Sequence, residues 1–193
     1  MSDAIHVLVP VADGTEEIEA VTVIDTLRRA EMDVTVASVT DRRQVVCSRG
    51  VTLVADERLG DLPDVPHEAI VLPGGMPGAR HLRDSEALVG RLIAQDRAGR
   101  LIAAICAAPA VVLQHHGLIR GRRATCHPSF LEHLDPQTRR EDRVVMDGPL
   151  VTSRGPGTAL EFALALVGIL RGPQVRQSVA DPMLPPDLPP PGR

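Results

Sequence analysis

The chain has 193 residues, of which 44% are hydrophobic and 24% charged, with a formal net charge of −4; this suits one globular α/β domain and excludes a disordered chain. Trp and Tyr are absent and Phe occurs twice, so the stacking platforms and basic surface of a nucleic-acid binder are missing. The longest apolar run, LIAAICAAPAVVL, falls short of a bilayer span and contains Pro109, so no membrane partner is expected.

The N-terminus, MSDAIHVLVPVADG, places an acid rather than basic residues before its apolar stretch; without a secretory pattern the default location is the cytoplasm. Residues 5–11 (IHVLVPV) predict a strand, 14–31 a helix and 33–39 (DVTVASV) a second strand. QVVCS and VTLVAD predict a β-excursion around Arg49-Gly50. EAIVLPGG (68–75) reads as a strand ending in a glycine pair, followed by a helix over 84–100 with Asp84 as N-cap and a stop near Gly99. LIAAI (101–105) is a buried strand, with a helix from about Ala107 to His116 that leaves His115 and His116 at its C-terminal end. Residues 143–153 predict a hairpin around Asp147-Gly148, and 157–172 the closing helix.

Strands alternating with helices of this length imply a layered α/β fold with parallel pairing. Ligands of such sheets lie beyond the carboxyl ends of the strands, which selects the loop at 12–16, Gly74-Gly75, Cys106 and SRGPGT at 153–158. Residues 1–172 form one domain by this reading. From 173 to 193 the sequence turns proline-rich, with DPMLPPDLPPPGR at its end, and an extended, flexible tail is expected.

Three cysteines, Cys47, Cys106 and Cys126, have no CxxC spacing, so free thiols are expected rather than a disulfide framework or a zinc site. Cys106 follows a buried strand and precedes a helix, the position of a nucleophile elbow. The helix N-terminus there is expected to lower the thiol pKa. An inert buried thiol fits the segment equally well.

In the first helix the apolar stripe comprises Ile18, Ala20, Val21, Val23, Ile24, Leu27 and Ala30. Glu16 falls inside that stripe and Glu19 beside it, while Glu17 points elsewhere. Asp13 and Glu16 fit a capping box, and acids in the first turn complement the helix dipole. Glu19 lies about a turn further in, where half-apolar surroundings raise a carboxyl pKa and let the neutral acid donate to a thiolate. Gly74-Gly75 leaves backbone N–H groups free to face an oxyanion. His127, in TCHPSF, is a candidate base or orienting group, although a histidine before proline is more often structural.

Taken in order, GTEEIEAVTVIDTLRRA, VTVASV, CSRGV, IVLPGGMPGA, LIAAICAAPAVVL, TCHP and TSRGPGTALEFALALV resemble the ThiJ/PfpI (DJ-one) family up to about residue 172, most closely the branch of the parkinsonism-associated deglycase and YajL. The resemblance implies a flavodoxin-like three-layer sandwich with a mostly parallel central sheet, a homodimer, and no metal or organic cofactor. It makes Cys106 the nucleophile and Glu19 its protonated partner, with backbone donors at Gly75 and Ala107, a loop shaped by Gly74, and His127 lining the pocket. Glu16, Arg49 and Pro156 match pocket-wall positions, and Arg29 an arginine reaching the pocket from the second subunit. Met76 departs from the polar residue of the family's human member.

The His-x-Glu pair of class I glutamine amidotransferases is absent at His127-Pro128-Ser129, and Ala107 stands where PfpI-type peptidases have a histidine. The expected activity is that of a glutathione-independent glyoxalase or deglycase acting on methylglyoxal and its early adducts. The alternatives are a redox sensor or chaperone with little turnover, and a small-molecule cysteine hydrolase.

Overall fold

The computed structural model describes residues 4–186. Its core is a seven-stranded sheet in the order β5-β2-β1-β6-β7-β9-β8. These strands are β1 (His6–Val11), β2 (Asp33–Ser38), β5 (Glu57–Arg58), β6 (Ala69–Leu72), β7 (Leu101–Ile105), β8 (Val144–Asp147) and β9 (Leu150–Ser153). Pairing is parallel except between β8 and β9, the hairpin around Asp147-Gly148. β3 (Gln44–Val46) and β4 (Thr52–Val54) form a separate antiparallel hairpin, the excursion expected around Arg49-Gly50. The fold is thus flavodoxin-like and α/β, with a mostly parallel central sheet.

Every residue of β6 and β7 is buried, as parallel strands covered on both faces must be. Helices α1 (Glu17–Arg29) and α5 (Pro173–Met183) both pack on α4 (Ala159–Arg171) and with it form one set. The other set comprises α2 (Gly78–Asp84), α3 (Glu86–Arg97) and a π-helical stretch at Pro109–Gln114. From β1 the chain first adds β2 on one side and later β6 on the other, so the topological switch point lies between β1 and β6. There β1 pairs with β6 only through Val7 and Leu8, upstream of Pro10, which has no N–H to give. The splayed strand ends leave room for side chains from the loops above.

Four expectations are corrected. The helix expected over 84–100 is α3, capped by Ser85, whose side chain accepts from Leu88 N, and it is preceded by a further helix, α2, over residues where the sequence predicts no element. Asp84 instead ends α2 and pairs with Arg83. The Asp13/Glu16 capping box does not form: Glu16 is itself the N-cap, its Oε2 accepting from Glu19 N at 2.8 Å, while Asp13 accepts from Val46 N and pairs with Arg42 of the hairpin segment. On α1, Ile18 and Val21 are 55% and 45% exposed rather than core residues, and Glu17 is buried. Finally, residues 173–183 are not an extended tail but helix α5, which buries Val179 and Ala180 and packs on α4. Pro173 stands at the helix start, where the N–H it lacks is not needed. The rest of the proline-rich stretch, 187–193, lies outside the described residues.

Candidate active site at the Cys106 elbow

Cys106 closes β7 with φ 64°, the left-handed region that side chains other than glycine seldom adopt. Three bonds over-determine the turn. Cys106 N donates to Ser153 O of β9 at 3.0 Å, His127 N donates to Cys106 O at 2.8 Å, and Val111 N donates to Ala107 O at 2.8 Å. Strain held in place by surrounding bonds is a mark of functional positions.

Glu19 reaches the same point from α1. It is wholly buried, and its Oε2 accepts from Gly74 N at 2.8 Å. Oε1 is buried without a hydrogen-bond partner, and the Cys106 thiol lies close enough to the carboxyl to influence its titration. Gly74 sits between the two groups: a Cβ there would come within 2.6 Å of Cys106 Cβ and 2.9 Å of Glu19 Oε2. At Gly75, φ is 88°, and a Cβ would collide with Gly14 O and Glu16 N. Both glycines are therefore required by close approach rather than by flexibility.

Burial pushes the Glu19 carboxyl up to about 7, against the Gly74 N–H and the Cys106 thiol, which pull it down. The Cys106 thiol is pushed up to about 12, first by burial and then by the charge and acceptor oxygens of Glu19; backbone N–H groups of Gly75 and Ala107 pull the other way. The expected lowering of the thiol therefore does not occur while Glu19 is ionised. When Glu19 holds the proton, its two contributions against the thiolate vanish, while burial still opposes the thiolate and the backbone donors still favour it. One proton shared between two sites is a coupled titration of the pair.

The expected residues divide into two groups. Glu19, Gly74, Gly75, Cys106 and Ala107 converge. Gly74, however, has committed its N–H to Glu19 and its carbonyl to Glu16 N, leaving Gly75 and Ala107 as the donors at the sulfur. His127 lies alongside through its backbone bond to Cys106. Its Nδ1 accepts from Ser129 N at 3.2 Å, and its ring rests against Gly155, next to Pro156. Glu16 caps α1 and is half-buried; Arg49 is exposed, with its backbone N on Glu17 Oε1 at 2.8 Å. Arg29 does not approach the site within its own chain: it is exposed and pairs with Asp25 on α1.

Two residues of the assembly were not foreseen. Buried Glu17 accepts from Ser48 Oγ and Arg49 N, tying the hairpin loop to α1. Burial pushes its carboxyl up, but the donors it collects from its own backbone, Ser48, Arg49 and Val51 outweigh this and leave it lowered. Thr15, also buried, accepts from Ala12 N through Oγ1 and from Ser48 N through its carbonyl. A run of three acids opening one helix was the available signal, but what covers each depends on a hairpin thirty residues away. Cys47 and Cys126 are buried free thiols pushed up by burial, to about 11 and about 12. Among the described residues no three His, Cys, Asp or Glu side chains gather as a metal-ligand set, and no helix is long and apolar enough to cross a membrane.

Fold and elbow together place the chain among flavodoxin-like α/β proteins with a cysteine where a central strand turns into a helix. More narrowly, it belongs to the DJ-1/PfpI family, whose model matches residues 5–168. The oxidized DJ-1 of Toxoplasma gondii superposes with a TM-score of 0.92 at 48% identity, covering 94% of this chain and 98% of that one. Protein DJ-1 homolog B of Arabidopsis thaliana is 49% identical over 162 residues, 84% of this chain; the chain spans only 37% of that protein's length. A Caenorhabditis elegans protein named glutathione-independent glyoxalase DJR-1.2 is 36% identical over 179 residues, which are 92% of this chain and 94% of that protein.

Proposed function

We propose that the chain is a glutathione-independent glyoxalase or deglycase that converts methylglyoxal, free or in its early adducts, to lactate. The observation that carries this reading is the wholly buried Glu19 carboxyl, titrating near neutrality beside the Cys106 thiol. Such a pair supplies both a nucleophile and a proton carrier. The glyoxalase name of the nematode relative supports the same direction.

The thiolate of Cys106 adds to the aldehyde carbon: the C–S bond forms and the carbonyl electron pair moves to oxygen, which Gly75 N–H and Ala107 N–H stabilise. Glu19 gives its proton to that oxygen, leaving a hemithioacetal and a carboxylate. The carboxylate then takes the proton from the former aldehyde carbon and returns it to the neighbouring former ketone carbon, while the hydroxyl proton passes from the former aldehyde oxygen to the former ketone oxygen, giving a thioester of lactate. Water releases lactate and restores the thiol. One molecule of water is consumed, the aldehyde carbon is oxidised and the ketone carbon reduced, so no external electron carrier enters. In an early adduct, attack by Cys106 expels the amine or thiol first. Arg49 and Pro156 would wall the pocket, and His127 would orient the substrate oxygen.

A homodimer belongs to this reading. Ile18 and Val21 of α1 are exposed, as are Val46, Val51 and Val54 of the hairpin that Glu17 ties to it. Such a patch suits a second copy of the chain, whose Arg29 would then be the arginine at the pocket. Sensing is favoured by one observation: Cys106 alone among the three thiols combines a left-handed backbone with donors that could hold a sulfinate oxygen.

The test is methylglyoxal consumption without glutathione, with lactate followed by NMR, in the wild type and Cys106→Ala. Lactate from the wild type alone supports the proposal, and equal lactate from both removes it. No lactate from either, with two oxygens added only at Cys106 under mild peroxide, transfers the site to sensing.

A further inference from the structure

Beside the elbow runs a groove of about 380 Å³ between α2, the π-helical stretch and the 3₁₀ segment Pro128–His133. That volume falls within the range of small-molecule sites, roughly 300–1,000 Å³. Its lining adjoins the site along the chain: Met76 follows Gly75, and Ala110 lies one turn beyond Ala107. Phe130, one of only two phenylalanines, completes an apolar surface.

The only permanent charges of the lining are positive. Arg80 and Arg83 line the groove from α2, and Gln114, His115 and His133 line the other walls, with no carboxylate among the lining residues. Arg83 shares its charge with Asp84. Arg80 has no ion-pair partner among the described residues, and the nearby Glu132 is engaged by Arg139 at 2.9 Å. A cation left free next to apolar surface and a reactive-thiol loop suits a ligand with a short carbon body and an anionic end.

The geometry points to a second arm of the active site that binds a carboxylate or phosphate on the far end of the substrate. Dicarbonyls that carry an anionic group are then better substrates than neutral ones of the same size. The inference rests on the reading that Cys106 attacks the aldehyde, and it adds the substrate's charge to it. With 4,5-dioxopentanoate the same internal proton transfer gives 2-hydroxyglutarate: water adds, the aldehyde carbon is oxidised and the ketone carbon reduced.

The experiment has two arms at one pH, on full-length protein checked for an unchanged melting curve. In the first, kcat/KM for 4,5-dioxopentanoate is divided by that for its methyl ester. The wild type favours the acid at least about tenfold, the size of one charge-assisted hydrogen bond, and Arg80→Gln/Arg83→Gln brings the ratio close to one. Arg97→Gln, an exposed arginine outside the groove, keeps the wild-type ratio.

In the second arm, 4-oxopentanoate is titrated into the Cys106→Ala protein and binding is read by NMR shifts at Met76, Ala110 and Phe130. The double arginine substitution weakens that binding about tenfold. This arm needs no turnover, so it decides the groove even if the glyoxalase reading fails. An unaltered ratio in the double variant, or binding indifferent to both arginines, overturns the inference.

Discussion

Glu19→Gln separates what the carboxyl does for the site from what it does to stability. Glutamine has the same shape, can accept from Gly74 N as Glu19 Oε2 does at 2.8 Å, and offers an NH₂ toward the sulfur. It cannot ionise. Burial raises the Glu19 carboxyl from 4.5 to about 7, so between those pH values the native chain holds a proton that the unfolded chain has released. Stability therefore falls as pH rises through this window: the neutral acid costs nothing below 4.5, and above 7 the full penalty of burying a charge applies. The span corresponds to about 3 kcal/mol. Glu19→Gln should match the wild type near pH 4.5 and exceed it by about that amount at pH 8, an increase in Tm of about 6–12 °C for a domain of this size. Guanidinium unfolding at fixed protein concentration, in half-unit steps from pH 4.5 to 8, measures the difference. Lactate formation should fall at least about 10²-fold, because the proton carrier is gone. Two stability curves that run parallel across the window would refute the placement of a buried, neutralised carboxyl beside the thiol.

Alkylation of Cys106 by iodoacetamide should rise as pH passes through about 7, when the pair loses its first proton, and Glu19→Gln should abolish that step; a single rise near 8.5, the ordinary thiol value, counts against coupling. Gly74→Ala forces a methyl to within 2.6 Å of Cys106 Cβ and 2.9 Å of Ile105 O, which should cost about 1–3 kcal/mol and lower turnover about 10²-fold through displacement of the sulfur; wild-type melting and kinetics would contradict the close approach. Removal of the chain from Pro173 onward strips Val179 and Ala180 from α4, with an expected loss of about 2–4 kcal/mol. An unchanged Tm in the shortened chain would show that α5 contributes nothing to packing.

The parallel sheet was legible because β1, β6 and β7 are short apolar runs with turn residues at their ends, and a sheet covered on both faces demands that pattern. For the same reason Cys106, Gly74 and Gly75 could be placed at strand ends before any coordinates. What failed was decided by contacts distant in sequence. The wheel put Glu17 away from the sheet, yet the residue is buried, because the β3–β4 loop covers it with Ser48 and Arg49. Ile18 and Val21 counted as core by periodicity but lie on the outer side of α1, about half exposed among the described residues. The sequence predicts no element over residues 76–83, yet α2 starts at Gly78 with Pro77 as its N-cap residue and ends at Asp84, just before the Ser85 cap. The tail was judged by its prolines; Pro173 falls at the start of α5, where a helix tolerates it best, and Pro182 falls inside the last turn, one residue before the helix stops at Met183.

The thiol's raised pKa and its proposed role as nucleophile are not in conflict, because only one of the two acidic groups needs to lose its proton near neutrality. With the proton on sulfur, Glu19 is a carboxylate buried against Gly74 N–H; with the proton on Glu19, the thiolate faces Gly75 and Ala107 N–H groups. Each arrangement keeps a single negative charge in the cavity and gives it backbone donors, so the proton can pass between the two with little reorganisation. In the proposed reaction, an aldehyde carbon entering the gap would draw on the second arrangement and restore the first once its oxygen is protonated. The left-handed turn at Cys106 and the missing Cβ at Gly74 allow the two groups to stand this close. Any substitution that widens the gap should therefore separate the two titrations before it unfolds the chain.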